Sequence, residues 1–332
     1  MIRTGLLGCG RIGQVHGQNL AVNPGAMLVA LYDEVAETAQ NLAQKTGAEI
    51  RGSDEIIQAD DIDAVLICTP TNTHYNLIHM AAEAKKAIFC EKPIDLSLAR
   101  SQECVQVVER IGVPFMVAFN RRFDPNFAAL QQRLQAGEAG EIELVNILSR
   151  DPAPPPLELM QSNGGLFQDM MIHDFDMARF LVGEEFVELY ATGSVLVDQK
   201  IAAIDDIDTA GVILKAASGK ICQISNSRRA SYGYDQRVEV HGSKGMLRVD
   251  NLLENSVEAA TKDGFHRAPT MHFFLERYQL AYSRELAHFI HSLNSGDAMT
   301  PNGQDGIQAQ KLAEAATTSY HKGVGVNISD FL

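Results

Sequence analysis

Asp169 and His173 are the residues best placed for proton chemistry. They are four positions apart in a segment whose apolar spacing predicts a helix over residues 169–181. Side chains at this spacing share one face of a helix, so the carboxylate and the imidazole are expected to be neighbours. Such a carboxylate fixes the imidazole tautomer and stabilises its protonated form. The pair suits removal of a hydroxyl proton while a hydride leaves the same carbon. The alternative, a helix-terminal aspartate beside a histidine that only packs, stays open.

Lys92 is the second candidate for proton chemistry. It lies in Glu91-Lys92-Pro93, directly after an apolar run at residues 87–90 that predicts a strand. Open α/β sheets bind ligands at the carboxyl ends of their strands. An ammonium group there would donate to a substrate oxygen and stabilise negative charge as it develops. The alternative is an ordinary surface lysine, which this short motif alone does not exclude.

A glycine-rich loop predicts a dinucleotide site. Gly8-Cys9-Gly10-Arg11-Ile12-Gly13 follows a predicted strand and opens a predicted helix, which is the context that makes Gly-x-Gly-x-x-Gly informative. Gly8 permits the tight turn, Gly10 lets backbone N–H groups approach a pyrophosphate, and Gly13 lets the helix pack closely on the sheet. The helix N-terminus adds partial positive charge. A strand–turn–helix without a cofactor is the alternative.

Asp33 indicates which dinucleotide binds. It ends the second predicted strand, 20 residues after Gly13. An acidic side chain at this position accepts hydrogen bonds from the ribose hydroxyls. The next residues, Glu34 and Val35, supply no arginine for a 2′-phosphate. NAD is therefore favoured over NADP as the cofactor.

Short strands and amphipathic helices must position these residues. Strands are predicted at residues 2–7, 27–31, 63–68, 87–90 and 114–119, and helices at 11–22, 35–46, 75–84 and 97–110. This alternation predicts an α/β domain in which a parallel sheet carries helices on both faces. It stops near residue 120, which divides the chain into a first domain, residues 1–120, and a second domain, residues 121–332.

The second domain follows a different pattern. A helix at 127–134 and a strand at 142–148 precede a proline-rich loop at 151–156. Strand-like stretches then follow one another from 187 to 249, with Ser218-Gly219 as the turn of a predicted hairpin. Helices at 274–293 and 304–320 close the chain. Successive strands without intervening helices predict an antiparallel sheet.

Composition restricts the classes of function. The 332 residues include 28 Lys and Arg against 42 Asp and Glu, a net charge of −14. Such a surface repels phosphate backbones and anionic lipids, so neither nucleic acid nor a membrane is expected as a partner. No apolar run is long enough to cross a bilayer, and the N-terminus does not resemble a signal peptide. The five scattered cysteines are expected to be reduced core thiols of a cytoplasmic protein. The histidine pairs lack the partners of a metal site, so no metal is expected.

Five ordered segments resemble the Gfo/Idh/MocA family of oxidoreductases over nearly the whole chain. They are the glycine-rich loop, Thr69-Pro70-Thr71-Asn72-Thr73-His74, Glu91-Lys92-Pro93, residues 119–124 and residues 164–174. Residues 167–180 and 225–235 are similar to the branch of that family that oxidises inositols. The resemblance implies a Rossmann doubly wound parallel sheet, followed by an α+β domain with an open, mainly antiparallel sheet. It also implies assembly into a homotetramer through that sheet.

The resemblance assigns roles to individual residues. It implies that Lys92 and His173 contact the reacting hydroxyl, with Asp169 beside them, and that a cis peptide bond precedes Pro93. Asp151, at the start of the proline-rich loop, and Tyr234, after the flexible Gly233, are expected to contact the substrate; Tyr232 is the alternative to Tyr234. Besides the glycine-rich loop and Asp33, the expected cofactor contacts are Thr69, Pro70, Asn72, His74, Glu91, Lys92 and Arg122.

These expectations describe an NAD-dependent dehydrogenase that acts on a CH–OH group. The resemblance implies oxidation of myo-inositol to 2-keto-myo-inositol, a step of inositol catabolism, with His173 as the base and Lys92 as a donor to the same oxygen. Two alternatives stay open: another cyclitol or sugar dehydrogenase or reductase, and a dinucleotide-binding sensor without turnover. The intact Lys92, Asp169 and His173 argue against the sensor, since a binding module does not need all three.

Overall fold

A computed structural model describes residues 1–331 of the chain, which form two compact units. The first unit contains residues 1–123 and 280–310, and the second contains residues 124–279 and the chain from Lys311 onward. The change of pattern near residue 120 predicts residues 280–310 in the second domain, whereas the structure groups them with the first unit. Leu286 and Phe289 of this segment share a buried cluster with Leu6 and Phe89. The amphipathic pattern of a helix predicts that one face is buried, but not which sheet covers it.

The sheet of the first unit is parallel throughout its described pairings, as predicted. Its strand order, β3-β2-β1-β4-β5-β6, is that of the doubly wound dinucleotide-binding fold. In such a sheet all carboxyl ends meet at one edge, which is where ligands bind. The strands are β1 (Ile2–Leu7), β2 (Ala26–Tyr32), β3 (Glu49–Ile50), β4 (Ala64–Ile67), β5 (Ala87–Glu91) and β6 (Phe115–Ala118).

Helices connect these strands and cover the sheet. The strand predicted at 2–7 and the helix predicted at 11–22 are confirmed at both ends. The helix predicted at 75–84 begins earlier, at Thr71, because its first turn is polar and shows no apolar periodicity in the sequence. The helices are α1 (Arg11–Val22), α2 (Ala36–Thr46), α3 (Ser53–Gln58), α4 (Thr71–Glu83) and α5 (Leu98–Ile111).

The second unit contains a larger, mainly antiparallel sheet in the order β12-β11-β7-β10-β9-β8-β15. The hairpin predicted at Ser218-Gly219 is confirmed, since β9 and β10 pair antiparallel on either side of it. The exception to the antiparallel pattern is the parallel pairing of β7 with β10. The strands are β7 (Ile142–Arg150), β8 (Phe186–Ser194), β9 (Thr209–Ala216), β10 (Ile221–Ser227), β11 (Asp235–Gly242), β12 (Gly245–Val249), the separate hairpin β13 (Glu258–Thr261) and β14 (Gly264–Arg267), and β15 (Val326–Asn327).

Two of the predicted helices are divided in the structure. The helix expected at 169–181 consists of a π-helix, Leu166–Met170, followed by α8, so Asp169 and His173 lie in different elements. The helix expected at 274–293 is interrupted at Tyr278, whose buried side chain donates to Gln236. The remaining helices are α6 (Pro125–Gln135), α7 (Leu157–Ser162), α8 (Ile172–Val182), α9 (Phe274–Arg277), α10 (Gln279–Ser295) and α11 (Gly303–Lys322), with 3₁₀ turns at Asn120–Phe123, Gln199–Ile204 and Ile328–Asp330.

The five cysteines agree with the expectation that they are core thiols. Each of the five cysteines is buried and unpaired with another cysteine. Burial raises the pKa of every one of these thiols, that of Cys9 and of Cys104 to about 12, so they remain unreactive thiols. Within residues 1–331, none of the helices has both the length and the apolar character needed to span a membrane.

Candidate active site

The three glycines of the phosphate-binding loop serve different purposes. Gly8 has a φ of +92°, and a Cβ atom there would lie 2.6 Å from the backbone of Cys68. A Cβ at Gly13 would lie 2.0 Å from the carbonyl oxygen of Gly8. At Gly10, the N-cap of α1, an added Cβ would meet no other described atom within 4 Å. The outer glycines are therefore required by packing, whereas Gly10 borders open space at the N-terminus of a helix, where anions bind.

Asp33 joins the end of β2 to the phosphate-binding loop. One of its carboxylate oxygens accepts from the backbone N–H of Cys9 at 2.6 Å, and the other accepts from that of Val35 at 2.8 Å. A carboxylate offers about four acceptor positions, so these two bonds leave capacity for hydroxyl donors. The side chain is thus held beside the loop, as the prediction of a ribose contact requires.

Glu91 ends β5, and Lys92 follows it at the same sheet edge. The Lys92–Pro93 peptide bond is cis, as expected. Oε1 of Glu91 lies 2.9 Å from Nε2 of His16, which is fully buried on α1. The sequence analysis missed His16, although the buried positions of α1 (Gly13, His16, Gly17 and Leu20) recur at intervals of three and four. The carboxylate of Glu91 is therefore positioned from α1.

His74 joins two of the loops at this edge. Its Nδ1 lies 3.0 Å from the carbonyl oxygen of Pro93 and its Nε2 lies 2.9 Å from that of Thr69. Its side chain is buried, and burial lowers the pKa of the imidazole. Both ring nitrogens thus face protein carbonyls, whereas the resemblance implied a contact with the cofactor. We assign His74 to positioning the loops after β4 and β5.

The remaining predicted cofactor residues follow β4 and β6. Thr69 and Pro70 directly precede α4, and Asn72 is exposed in its first turn. Arg122 follows β6, and its Nη2 donates to Asp305 at 2.9 Å. Since β1, β4, β5 and β6 are consecutive neighbours in a parallel sheet, the loops that follow them share one edge. The structure therefore brings the glycine-rich loop, Thr69, Lys92 and Arg122 to the edge at which open α/β sheets bind ligands.

A buried arginine lies between two predicted substrate residues of the second unit. The guanidinium of Arg228 has Nη1 3.8 Å from Asp151 and Nη2 3.8 Å from Asp169. Its side chain is 1% exposed, whereas those of Asp151 and Asp169 are 22% and 20% exposed. The sequence analysis missed Arg228. Its signal is the alternation of buried Ile224, Asn226 and Arg228 along and beyond β10, which places them on the inward face of the strand.

His173 is positioned through the residue that follows it. The carboxylate of Asp174 is fully buried and accepts from Ser149 on β7 at 2.5 Å and from Asn226 on β10 at 2.9 Å. These bonds fix the first turn of α8 to two neighbouring strands of the sheet. His173 itself is partly exposed, although its Nδ1 is buried, and these bonds anchor the backbone beside it.

The two tyrosines considered for substrate binding have different surroundings. Tyr232 is half exposed, and its O–H donates to the buried carboxylate of Asp235 at 2.6 Å. Tyr234 is buried, with its ring 5.9 Å from that of Tyr278 in an edge-to-face arrangement. The hydroxyl of Tyr232 is therefore engaged by the protein, and Tyr234 stays the candidate that the sequence predicted.

Comparisons with known proteins agree with the fold and with an NAD-binding first unit. Residues 2–119 match the oxidoreductase family with an NAD-binding Rossmann fold, and residues 127–248 match the GFO/IDH/MocA C-terminal domain. An inositol 2-dehydrogenase of Rhizobium meliloti (strain 1021) is 51% identical over 96% of both chains. The crystal structure of a myo-inositol dehydrogenase from Corynebacterium glutamicum is 44% identical over 98% of each chain, with a TM-score of 0.94. That of a scyllo-inositol dehydrogenase from Lactobacillus casei, with bound NAD(H) and scyllo-inositol, is 29% identical over 99% of each chain, with a TM-score of 0.92.

Proposed function

Because the chain belongs to the GFO/IDH/MocA family of oxidoreductases, we propose that it is an inositol 2-dehydrogenase, which oxidises myo-inositol to 2-keto-myo-inositol with NAD in inositol catabolism. The observation that carries this proposal is the full-length similarity to inositol dehydrogenases. The first unit would bind the dinucleotide and the second would bind the substrate. Another cyclitol or a sugar is the second candidate, since relatives of lower identity include a scyllo-inositol dehydrogenase.

The residues at the sheet edge fit a dinucleotide. Gly10 leaves open the space that a side chain would fill at the N-terminus of α1, and a pyrophosphate binds at such a position. Asp33 lies beside the same loop and keeps acceptor capacity for the ribose hydroxyls. Thr69, Asn72 and Arg122 would border the dinucleotide further along the edge. Bound NAD supplies the hydride acceptor; the protein supplies orientation and electrostatics.

His173 and Lys92 would share the reacting hydroxyl. His173 accepts the hydroxyl proton, and Asp169 holds its imidazole in the tautomer that can do so. Lys92 donates to the same oxygen and stabilises the negative charge that develops as the hydride leaves carbon. The alcohol thereby loses one hydride and one proton and becomes a ketone.

Asp151, Asp169 and Tyr234 would bind the hydroxyl groups that do not react. A buried polar group without a hydrogen-bonding partner costs about 1–3 kcal/mol. A polyol ring therefore needs several acceptors and donors in fixed positions. The two partly exposed carboxylates beside Arg228 supply acceptors of this kind.

The assembly and location that we propose are a homotetramer in the cytoplasm. Tyr190 and Ile213 are cross-strand partners on β8 and β9, and both are exposed, as is Ile221 on β10. Neighbouring exposed apolar side chains on one face of a sheet favour contact with another subunit. The unpaired thiols are typical of a reducing compartment.

A spectrophotometric screen of NADH and NADPH formation tests the proposed activity. The purified protein is given myo-inositol, scyllo-inositol and a set of hexoses, each with NAD and with NADP. We expect the highest kcat/KM with myo-inositol and NAD. A higher kcat/KM with a hexose would identify that hexose, and not myo-inositol, as the substrate. NAD binding without turnover of any polyol would favour a dinucleotide-binding sensor.

A further inference from the structure

Arg228 is a charged group that the proposed mechanism does not use. Its side chain is 1% exposed, and Nε and Nη2 have no hydrogen-bonding partner within residues 1–331. A guanidinium remains charged inside a protein, so a buried one requires anionic neighbours. The neighbours here are Asp151 and Asp169, each 3.8 Å from a different terminal nitrogen.

The backbone around Arg228 is attached to the sheet independently of these carboxylates. The backbone N–H of Arg228 donates to the carbonyl oxygen of Asp208, at the entry to β9, at 2.8 Å. Asn226, two residues earlier on the same inward face, donates to the buried Asp174. The arginine is therefore attached to the strands of the sheet, whereas Asp151 begins a loop and Asp169 lies in the π-helix.

We propose that Arg228 is a positioning residue of the substrate site, whose two terminal nitrogens hold the carboxylates of Asp151 and Asp169 in place for two hydroxyl groups of one polyol. This inference rests on the proposed function. The positive charge faces both carboxylates, and Coulomb attraction draws each of them toward a different terminal nitrogen. Their oxygens accept hydrogen bonds, which is what a hydroxyl donor requires.

The proposal requires the planar guanidinium fork, because its two terminal nitrogens each face a different carboxylate. Lysine keeps the charge but presents one nitrogen, which cannot face two separate carboxylates in the same way. Arg228→Lys thus separates geometry from charge. Arg229→Lys is the matched control, since Arg229 is the next residue and is exposed.

The experiment compares KM for myo-inositol, kcat, and the Kd for NADH in the wild type and both variants. We expect Arg228→Lys to raise KM by about tenfold to a hundredfold, the size of effect of misplacing a substrate-positioning group. Its Kd for NADH should be unchanged, because Arg228 lies outside the first unit. Arg229→Lys should leave all three constants unchanged.

A double-mutant cycle with Asp151→Asn adds a readout that a purely structural role would not change. With one carboxylate neutralised, the second arm of the fork has no anionic partner, so Arg228→Lys should change KM much less than in the wild-type background. If Arg228→Lys alone does not fold, Asp151→Asn keeps the proposal testable, since it removes one of the two carboxylates that face Arg228 and should raise KM for myo-inositol without changing the Kd for NADH.

The outcomes separate this inference from the proposed function. Absence of polyol turnover by the wild type would overturn the proposed function and this role with it. Wild-type turnover together with equal KM values for the two lysine variants would overturn the positioning role alone. Additive effects of Arg228→Lys and Asp151→Asn would also overturn it, since they would mean that the two residues act independently.

Discussion

His173 is the residue on which the proposed proton transfer depends most. We expect His173→Ala to lower kcat by about a hundredfold or more, the usual loss when a general base is removed. The measurement is steady-state NADH formation with saturating myo-inositol. His266→Ala is the matched control, because His266 is exposed on the separate β13–β14 hairpin. Turnover of His173→Ala close to that of the control would exclude the imidazole as the base.

Asp33 is expected to set both the affinity for NAD and its selection over NADP. Asp33→Ala removes the acceptors for the ribose hydroxyls and the negative charge that repels a 2′-phosphate. The Kd for NAD should rise, and the ratio of the NADP to the NAD Kd should fall, both measured by fluorescence titration. Glu34→Ala, the exposed neighbouring residue, serves as the control. Unchanged values for both dinucleotides would mean that the ribose is recognised elsewhere.

Single residues could be predicted where a short motif carries the chemistry. The glycine-rich loop and Asp33 follow from such motifs, and the structure places them at one sheet edge. The cis peptide before Pro93 was implied by the family resemblance, and the structure confirms it. His16 and Arg228 could not be predicted as site residues, because their partners are far away along the chain. Glu91 is 75 residues from His16, and the nearer partner of Arg228 is 59 residues away. The only local signal in the sequence for such a long-range charge pair is the periodicity of the buried face on which the residue lies.

Two substitutions in the phosphate-binding turn should distinguish an effect on folding from an effect on cofactor binding. Gly13→Ala would place a Cβ 2.0 Å from the Gly8 carbonyl oxygen, so we expect a loss of about 1–3 kcal/mol in the free energy of unfolding. Gly10→Ala meets open space and should change that free energy by less than about 1 kcal/mol, yet it should weaken NAD binding because the methyl group occupies the pyrophosphate position. Chemical denaturation and NAD titration measure the two effects. Equal behaviour of the two variants in both measurements would contradict this division.

The elements themselves could be predicted where periodicity is strong. The alternation of strands and helices predicted the parallel sheet, and the turn residues Ser218-Gly219 predicted the hairpin; the structure confirms both. The π-helix that carries Asp169 could not be predicted, since a wider turn has no residue pattern of its own. The parallel pairing of β7 with β10 was missed for a different reason: their partners are chosen by long-range packing, not by the local sequence.

At the scale of the whole molecule, the exposed apolar face of the second sheet should join subunits. Ile213→Lys places a charge beside Tyr190 and Ile221. A charge buried in a subunit interface without a partner destabilises the assembly. We expect light scattering coupled to size exclusion to report a tetramer for the wild type and smaller species for this variant. Val257→Lys, at another exposed apolar residue, is the control and should not dissociate. A monomeric wild type would contradict the proposed assembly.

The unit to which residues 280–310 belong could not be predicted from the sequence. Residues 280–310 pack with the first unit, where Leu286, Phe289 and Ile290 join the core, although they follow the strands of the second. Their apolar faces predicted burial correctly. The choice of sheet depends on shape complementarity between elements far apart in the chain, which no local pattern encodes.

In the proposed mechanism a hydride passes from C2 of myo-inositol to NAD while the protein removes the hydroxyl proton. Incubation with NAD and myo-inositol deuterated at C2 tests it directly, with the reduced dinucleotide analysed by mass spectrometry. We expect one deuterium in each molecule of reduced dinucleotide and a slower reaction than with unlabelled myo-inositol. Reduced dinucleotide without deuterium, or no reduction at all, would contradict it.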